Sequence, residues 1–291
     1  MGYGFSSLHP LPSFLYYLGA IILIMTFYQP VFLLAGLLVL IAINFIQDKG
    51  KKLKSYKKFY IFMGIIIILI NPIISSRGKT VLFYLFDKVI TLESLVYGIC
   101  TVISLVSIMV LFLSYNLIIT DDKFMYLFSD MLPKTSFLIM MTMGFVPLLK
   151  RRIAEINTVQ ELKGGEKNEN GFKEKIIEKM KILNVLVIWS LEESIIRARS
   201  MRARGYGVVK KRSFYFNYRM DKLDIFVLIF IILGVSMLIF SWNNGIIHYE
   251  IYPKVSSISF DFKTSLFFIL YILYLGIPII IEGMDKIKWH K

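Results

Sequence analysis

With one cysteine in 291 residues the chain has no intrachain disulfide to form, and Cys100 lies inside an apolar run where a thiol packs as a small hydrophobe. Histidine is nearly as scarce. His9, His248 and His290 are far apart, no HExxH spacing occurs, and the apolar segments hold no paired carboxylates. That argues against the common hydrolytic metal centres and against a nucleophile with a base at hand. Gly78-Lys79-Thr80 has the ending of a phosphate-binding loop, but Ile73 stands where the required earlier glycine belongs, so no nucleotide site is expected there. Over long stretches charge itself is missing: there is none from Met1 to Gln47, from Ser94 to Thr120, or from Ile225 to Tyr249. The N-terminus also lacks the positive region of a cleavable signal peptide.

What is present is a 56% apolar composition with 24 Phe and 17 Tyr, above the share of an ordinary soluble domain. Each charge-free run can hold at least one membrane-spanning helix. The first is long enough for two, and Gln29-Pro30 divides it, because proline begins a helix more readily than it continues one. The expected spans are 13–29, 31–46, 59–76, 94–120, 225–243 and 264–281. Orientation follows from lysine and arginine, which stay on the cytoplasmic side of short loops. QDKGKKLKSYKK at 47–58 holds six lysines and is placed inside, whereas the segment after the third span carries only Arg77, Lys79 and Lys88.

The apolar stretch TSFLIMMTMGFVPLL, residues 135–149, is short for a span and contains Pro147. If it crossed, residues 150–221, with 17 of the 34 Lys and Arg, would lie outside. It is therefore placed as a buried or half-immersed helix on the cytoplasmic side, after an amphipathic segment around Asp122 to Leu132. The expectation is an all-α polytopic membrane protein of about six spans with both termini cytoplasmic. Residues 1–120 hold four spans, 121–221 a cytoplasmic helical region, and 222–291 the last two.

Within 121–221 the linker-like part is GGEKNENGF at 164–172. Beyond it Ile176, Met180, Leu183, Val187, Leu191 and Ile195 fall three or four apart and predict one long helix, Lys173 to Arg204, about 48 Å at 1.5 Å per residue. Both halves of the region end alike, with Leu162-Lys163-Gly164 and Ala203-Arg204-Gly205. A cation in the last turn suits the helix dipole, and the glycine supplies a left-handed cap. Read alone, each is an ordinary stop signal; together they present one cation at each of two tips.

RARSMRARGYG at 197–207 places Arg197, Arg199, Arg202 and Arg204 in one short stretch. Glu192 and Glu193, one to three turns earlier, offset part of that charge, which argues against a lipid-binding comb. No aromatic side chain interleaves the arginines, so a single-strand nucleic-acid platform is not supported. An acidic groove of a protein partner is the reading that remains.

SMRARGYG at 200–207, preceded by paired glutamates on the same helix, resembles the Ala-Arg-Gly signature of the T component (EcfT) of energy-coupling factor transporters. LHP at 8–10, NPI at 71–73, GKTVLF at 78–83, ITLESLVYG at 90–98 and FVPLL at 145–149 match that family in order. The resemblance implies a non-catalytic membrane scaffold without a cofactor of its own. Two coupling helices would dock on two ABC-type ATPases, and the membrane part would hold a substrate-binding S component for vitamin or metal-ion uptake across the cell membrane. By the resemblance the docking residues are Ala203, Arg204 and Gly205 at one tip and Leu162, Lys163 and Gly164 at the other, supported by Arg199, Arg202, Glu192 and Glu193. Lys163 departs from the pattern: it keeps the charge but not the planar fork of arginine.

Met140, Met141, Met143 and Gly144 read either as an adaptable contact surface or as core filling. Two other function classes are weighed against the scaffold. One is an enzyme on phosphorylated lipid with the four arginines as its clamp, and the other is a stand-alone carrier, which needs a polar site at the bilayer midplane.

Overall fold

The computed structural model describes residues 4–74, 78–85, 88–129, 131–162, 172–208, 218–245, 247, 249, 251–252 and 261–289. Lys163, Gly164 and residues 165–171 of the linker-like stretch lie outside them, as do Arg77, His248 and His290. After a short 3-10 turn at Phe5–Ser7 come helices α1 (Pro10–Thr26), α2 (Pro30–Asp48) and α3 (Lys51–Ile74), strands β1 (Val81–Leu85) and β2 (Lys88–Thr91), and helices α4 (Leu92–Ile118) and α5 (Asp121–Ser129). Helices α6 (Pro133–Leu162), α7 (Phe172–Ala203), α8 (Lys222–Asn243), α9 (Phe262–Leu275) and α10 (Ile277–Trp289) follow. Two compact units divide the chain: residues 1–127 with 218–291, and residues 128–217.

The first unit is the membrane body, an all-α polytopic fold with one small hairpin. Helices α1 and α2 both open on a proline, at the position where its missing N–H costs nothing. Lys49 and Gly50, both with positive φ, turn the chain from α2 into α3. By length and apolarity α2, α3, α4 and α8 can each cross a bilayer, and α9 with α10 makes a fifth span when the bent pair is taken as one. The sixth expected span is α1, whose 17 residues make it shorter than these.

The segment expected as one span at 264–281 is two helices bent by 54° around Gly276. Pro278 cannot donate a backbone hydrogen bond back into α9, so the ladder breaks there. The Leu275 carbonyl beside the break accepts the Tyr16 hydroxyl at 2.7 Å, which replaces bonding that apolar surroundings cannot supply.

The body packs by setting tyrosines into glycine notches. Tyr274 lies against Gly19 and Gly234, and Tyr271 against Gly36, with α9 as the source of both rings. Tyr16, Tyr17, Tyr271 and Tyr274 are among the largest fully buried side chains. Polar bonds cross the same core. The Tyr17 and Ser114 hydroxyls lie 2.7 Å apart, Ser114 donates to the Gln47 amide oxygen at 2.7 Å, and the Asn44 amide donates to the carbonyls of Leu40 and Val110 at 3.0 Å.

Strands β1 and β2 form an antiparallel hairpin that a purely helical expectation misses. Its runs VLFYL and KVIT are rich in β-branched and aromatic residues, which suit a pleated ribbon. The Glu93 carboxylate, 1% exposed in the first turn of α4, accepts the backbone N–H groups of Thr80 at 3.2 Å and Lys79 at 3.4 Å. Gly78 passes so close that a Cβ there would lie 2.6 Å from a Glu93 oxygen. The Gly78-Lys79-Thr80 stretch thus binds a carboxylate of its own chain with the backbone donors a phosphate loop would use.

In the second unit the stretch 135–149 is no separate helix. It continues through Pro147 into the polar residues after it, as the 30-residue α6. Leu138, Met140, Met143 and Val146 on α6 stay exposed, and so does the stripe Ile176, Met180, Leu183, Val187, Leu191 and Ile195 of α7. Two helices side by side cover only one face each, so these apolar side chains stay exposed among the described residues.

Candidate functional site

Helices α6 and α7 run antiparallel, joined by three ring contacts. Phe137 stacks on Tyr206 with centroids 5.1 Å apart, the Arg197 guanidinium lies 4.1 Å from the Phe145 centroid, and that of Arg152 lies 4.6 Å from the Trp189 centroid. Residue numbers rise along α6 as they fall along α7, so the C-terminal ends of the two helices lie at opposite ends of the pair. From Phe137 to Leu162 is about 37 Å at 1.5 Å per residue.

The α7 end is closed by a Schellman motif. The Tyr206 N–H donates to the Met201 carbonyl and the Gly205 N–H to the Arg202 carbonyl, both at 3.0 Å, with Gly205 left-handed at φ 82°. Gly207 is left-handed as well, at φ 90°. This local chemistry holds Ala203, Arg204 and Gly205 at an exposed tip. Arg199, Arg202 and Arg204 are exposed and make no ion pair among the described residues.

Arg197 behaves differently from the other three. It bonds Glu193 at 3.3 Å and covers Phe145, so it fastens α7 to α6 and does not face outward with its neighbours. The pairing expected between the glutamates and the arginines is therefore made by Glu193, while Glu192 is exposed. At the α6 end Leu162 is 81% exposed.

Beside the Phe137–Tyr206 stack an apolar cavity of about 470 Å³ opens, lined by Lys134, Met141, Thr142 and Phe145 among others. Met140 and Met143 stand exposed, and nothing lies within 4 Å of a Cβ built on Gly144. Among the described residues Met140 and Met143 fill no core, while Met141 is half-buried at the cavity.

Sequence reasoning missed a second cluster, in the membrane body, where α5 and the residues just before α8 meet the N-terminal segment. The His9 N–H donates to an Asp224 oxygen at 3.1 Å, and the other Asp224 oxygen accepts the Asp221 N–H at 3.0 Å. The His9 Nδ1 accepts the Leu11 N–H at 3.2 Å and so caps α1. Its ring meets Tyr126 and Tyr218 edge-on at 5.7 and 6.2 Å, and those two rings lie 4.9 Å apart. The Lys123 ammonium donates to the Ser6 carbonyl at 2.5 Å. Burial lowers the titration of His9, with the Asp224 carboxylate pulling the other way, and burial lowers that of Lys123 too. The capping spacing Asp221-x-x-Asp224 was legible; its partner 215 positions earlier was not.

Fold and site together define a polytopic helical membrane protein whose second unit is a helix pair with exposed cations at the end of α7. The chain belongs to the CbiQ cobalt transport protein family, whose model matches residues 6–215, and this is the family of the T components of energy-coupling factor transporters. It is thus a membrane component of a transport system. A search of curated proteins finds no match.

Proposed function

We propose that the chain is the transmembrane scaffold of an energy-coupling factor importer. It couples ATP hydrolysis by two partner ATPases to reorientation of a substrate-binding S component that takes up a vitamin or a metal ion. Arg204 at the α7 tip and Lys163 just past α6 each enter an acidic groove of one ATPase. The loop 47–58, the segment 121–221 and both termini face the cytoplasm of a cell-membrane protein. The observation that carries this reading is Arg204 itself, exposed on a rigid glycine-capped helix end without an ion pair among the described residues. Opposite placement of the two helix ends suits two separate partners. ATP hydrolysis belongs to those partners, and the S component sets the cargo.

A lipid-phosphate clamp of four converging arginines is less well supported, because Arg197 is turned to Phe145 and Glu193. The test is recovery of ATPases with the tagged chain, followed by ATP-dependent uptake in vesicles that contain the S component. Arg204→Glu puts like charges together in a partly dry contact and is expected to abolish both. Lys163→Glu should weaken the other contact to a smaller degree. Lys51→Glu, in a solvated loop, should leave assembly intact. Normal recovery and uptake with Arg204→Glu would refute the scaffold reading, and uptake by the purified chain alone would favour a carrier.

A further inference from the structure

We propose that the cluster of buried His9, Lys123 and Asp224 with half-buried Tyr126 and Tyr218 is the mechanical anchor that passes movement of the coupling helices into the membrane body, with His9 as its positioning residue. The inference rests on the scaffold reading above.

Any force carried along the backbone between coupling helices and membrane body passes through two places, helix α5 and the segment before α8. A slack connection at either would absorb the movement. Here both are held to each other and to the N-terminal segment. Tyr126 and Tyr218 pack ring against ring, and the Tyr126 hydroxyl reaches the Tyr218 carbonyl at 3.4 Å. The His9 ring lies edge-on against both.

His9 then ties this pair to two membrane helices at once. Its side chain caps α1, and its backbone N–H bonds the carboxylate that forms the capping box of α8. Lys123 adds a second tie, from α5 to Ser6. The exposures of His9, Lys123 and Asp224 are 7%, 8% and 5%. Keeping an ammonium group so buried against a backbone carbonyl is costly, and a chain that only needed a loop here could use an apolar side chain. The cluster is built to hold three segments in one fixed arrangement.

This function separates from docking. A chain with a loosened anchor still binds its ATPases through the helix tips, so ATP is hydrolysed without import. The test uses the complete complex, with ATPases and S component, in proteoliposomes. Three quantities are measured: ATPase recovery, ATP hydrolysis and ATP-dependent uptake. His9→Ala and Tyr218→Ala are expected to keep recovery and hydrolysis while uptake per complex falls by about tenfold, a coupling loss of ordinary size. Tyr126→Phe keeps the ring packed on Tyr218 and loses the long hydroxyl contact to its carbonyl, so most uptake should remain.

Cysteines at Tyr126 and Tyr218 in a Cys100→Ser background remove both rings and should lower uptake about tenfold while unbridged, and bridging them with a short thiol cross-linker should restore it, since a covalent tie then does what the ring contact did and an anchor does not open during the cycle. Failure of the bridge to restore uptake would overturn the proposal. So would a His9→Ala chain whose recovery, hydrolysis and uptake fell in the same proportion, because the cluster would then only maintain folding. Arg204→Glu run in parallel tells the two readings apart. If it keeps normal recovery, the scaffold reading fails and the anchor with it; if it loses recovery while His9→Ala stays fully coupled, the anchor alone fails.

Discussion

Tyr274 of α9 occupies the place where Gly19 of α1 has no side chain. A Cβ on Gly19 would lie 2.2 Å from the Tyr274 hydroxyl and 2.8 Å from a Val235 methyl, and that hydroxyl donates to the Tyr16 carbonyl at 3.1 Å. With Gly234 of α8 against the same ring, helices α1, α8 and α9 approach one another through two glycines and one tyrosine. The Tyr16 hydroxyl answers with a bond to Leu275, beside the break between α9 and α10.

Gly19→Val should destabilise the membrane body by about 1–3 kcal/mol, the usual cost of overpacking, because Tyr274 is fully buried and its hydroxyl is tied to the Tyr16 carbonyl. Gly144→Ala, where an added Cβ meets nothing within 4 Å, should be neutral or slightly stabilising. Thermal inactivation of the purified chain in detergent measures both. Equal effects at the two sites would show that the notch does not hold the helices together.

The φ of 82° at Gly205 makes a second prediction. A β-carbon there costs about 1–2 kcal/mol in the left-handed region, while asparagine tolerates it better. Gly205→Val should therefore lower ATPase recovery with the tagged chain well below Gly205→Asn. Gly205→Val with undiminished recovery would mean that the cap does not set how Arg204 is presented.

His9 makes the body sensitive to acid in a defined sense. Its folded-state titration is depressed by burial, so the unfolded chain takes up protons more readily as pH falls through its ordinary value of about 6.5. The stabilising contribution of neutral His9 is present above that pH and is lost as pH falls through the depressed folded value. Thermal midpoints between about pH 7.5 and 5 should fall less steeply for His9→Gln than for the unmodified chain. Parallel slopes would remove His9 as the cause.

Orientation is tested by labelling. In a Cys100→Ser chain, a cysteine at Glu169 should react only after the membrane is permeabilised, and one at Ser256 should react from outside. Outside labelling at Glu169 would reverse the assignment of the coupling helices to the cytoplasm.

Much of the fold was legible because membrane insertion acts on local composition. Charge-free runs mark the helices of the body, and Pro30 shows where the first run divides. A basic residue followed by glycine likewise gives the end of α7, since capping involves only neighbours along the chain. The break at Gly276 is not evident from Pro278 alone, because a proline in an apolar run either kinks or ends a helix according to what satisfies the carbonyls at the break. Here the Leu275 carbonyl is met by Tyr16, 259 positions away.

The sequence by itself determined that this is a helical membrane protein of its transport family and where its exposed basic tip lies. Those properties follow from hydropathy, charge and capping within a few residues. Only the tertiary structure decided that Arg197 serves the α6–α7 pair while Arg199, Arg202 and Arg204 stay exposed, and that His9 meets Tyr126, Tyr218 and Asp224. One arginine looks like the next along a chain, and a histidine carries no mark of a partner 215 residues away; which groups meet is set by how helices pack, and packing depends on side-chain shape summed over the whole body.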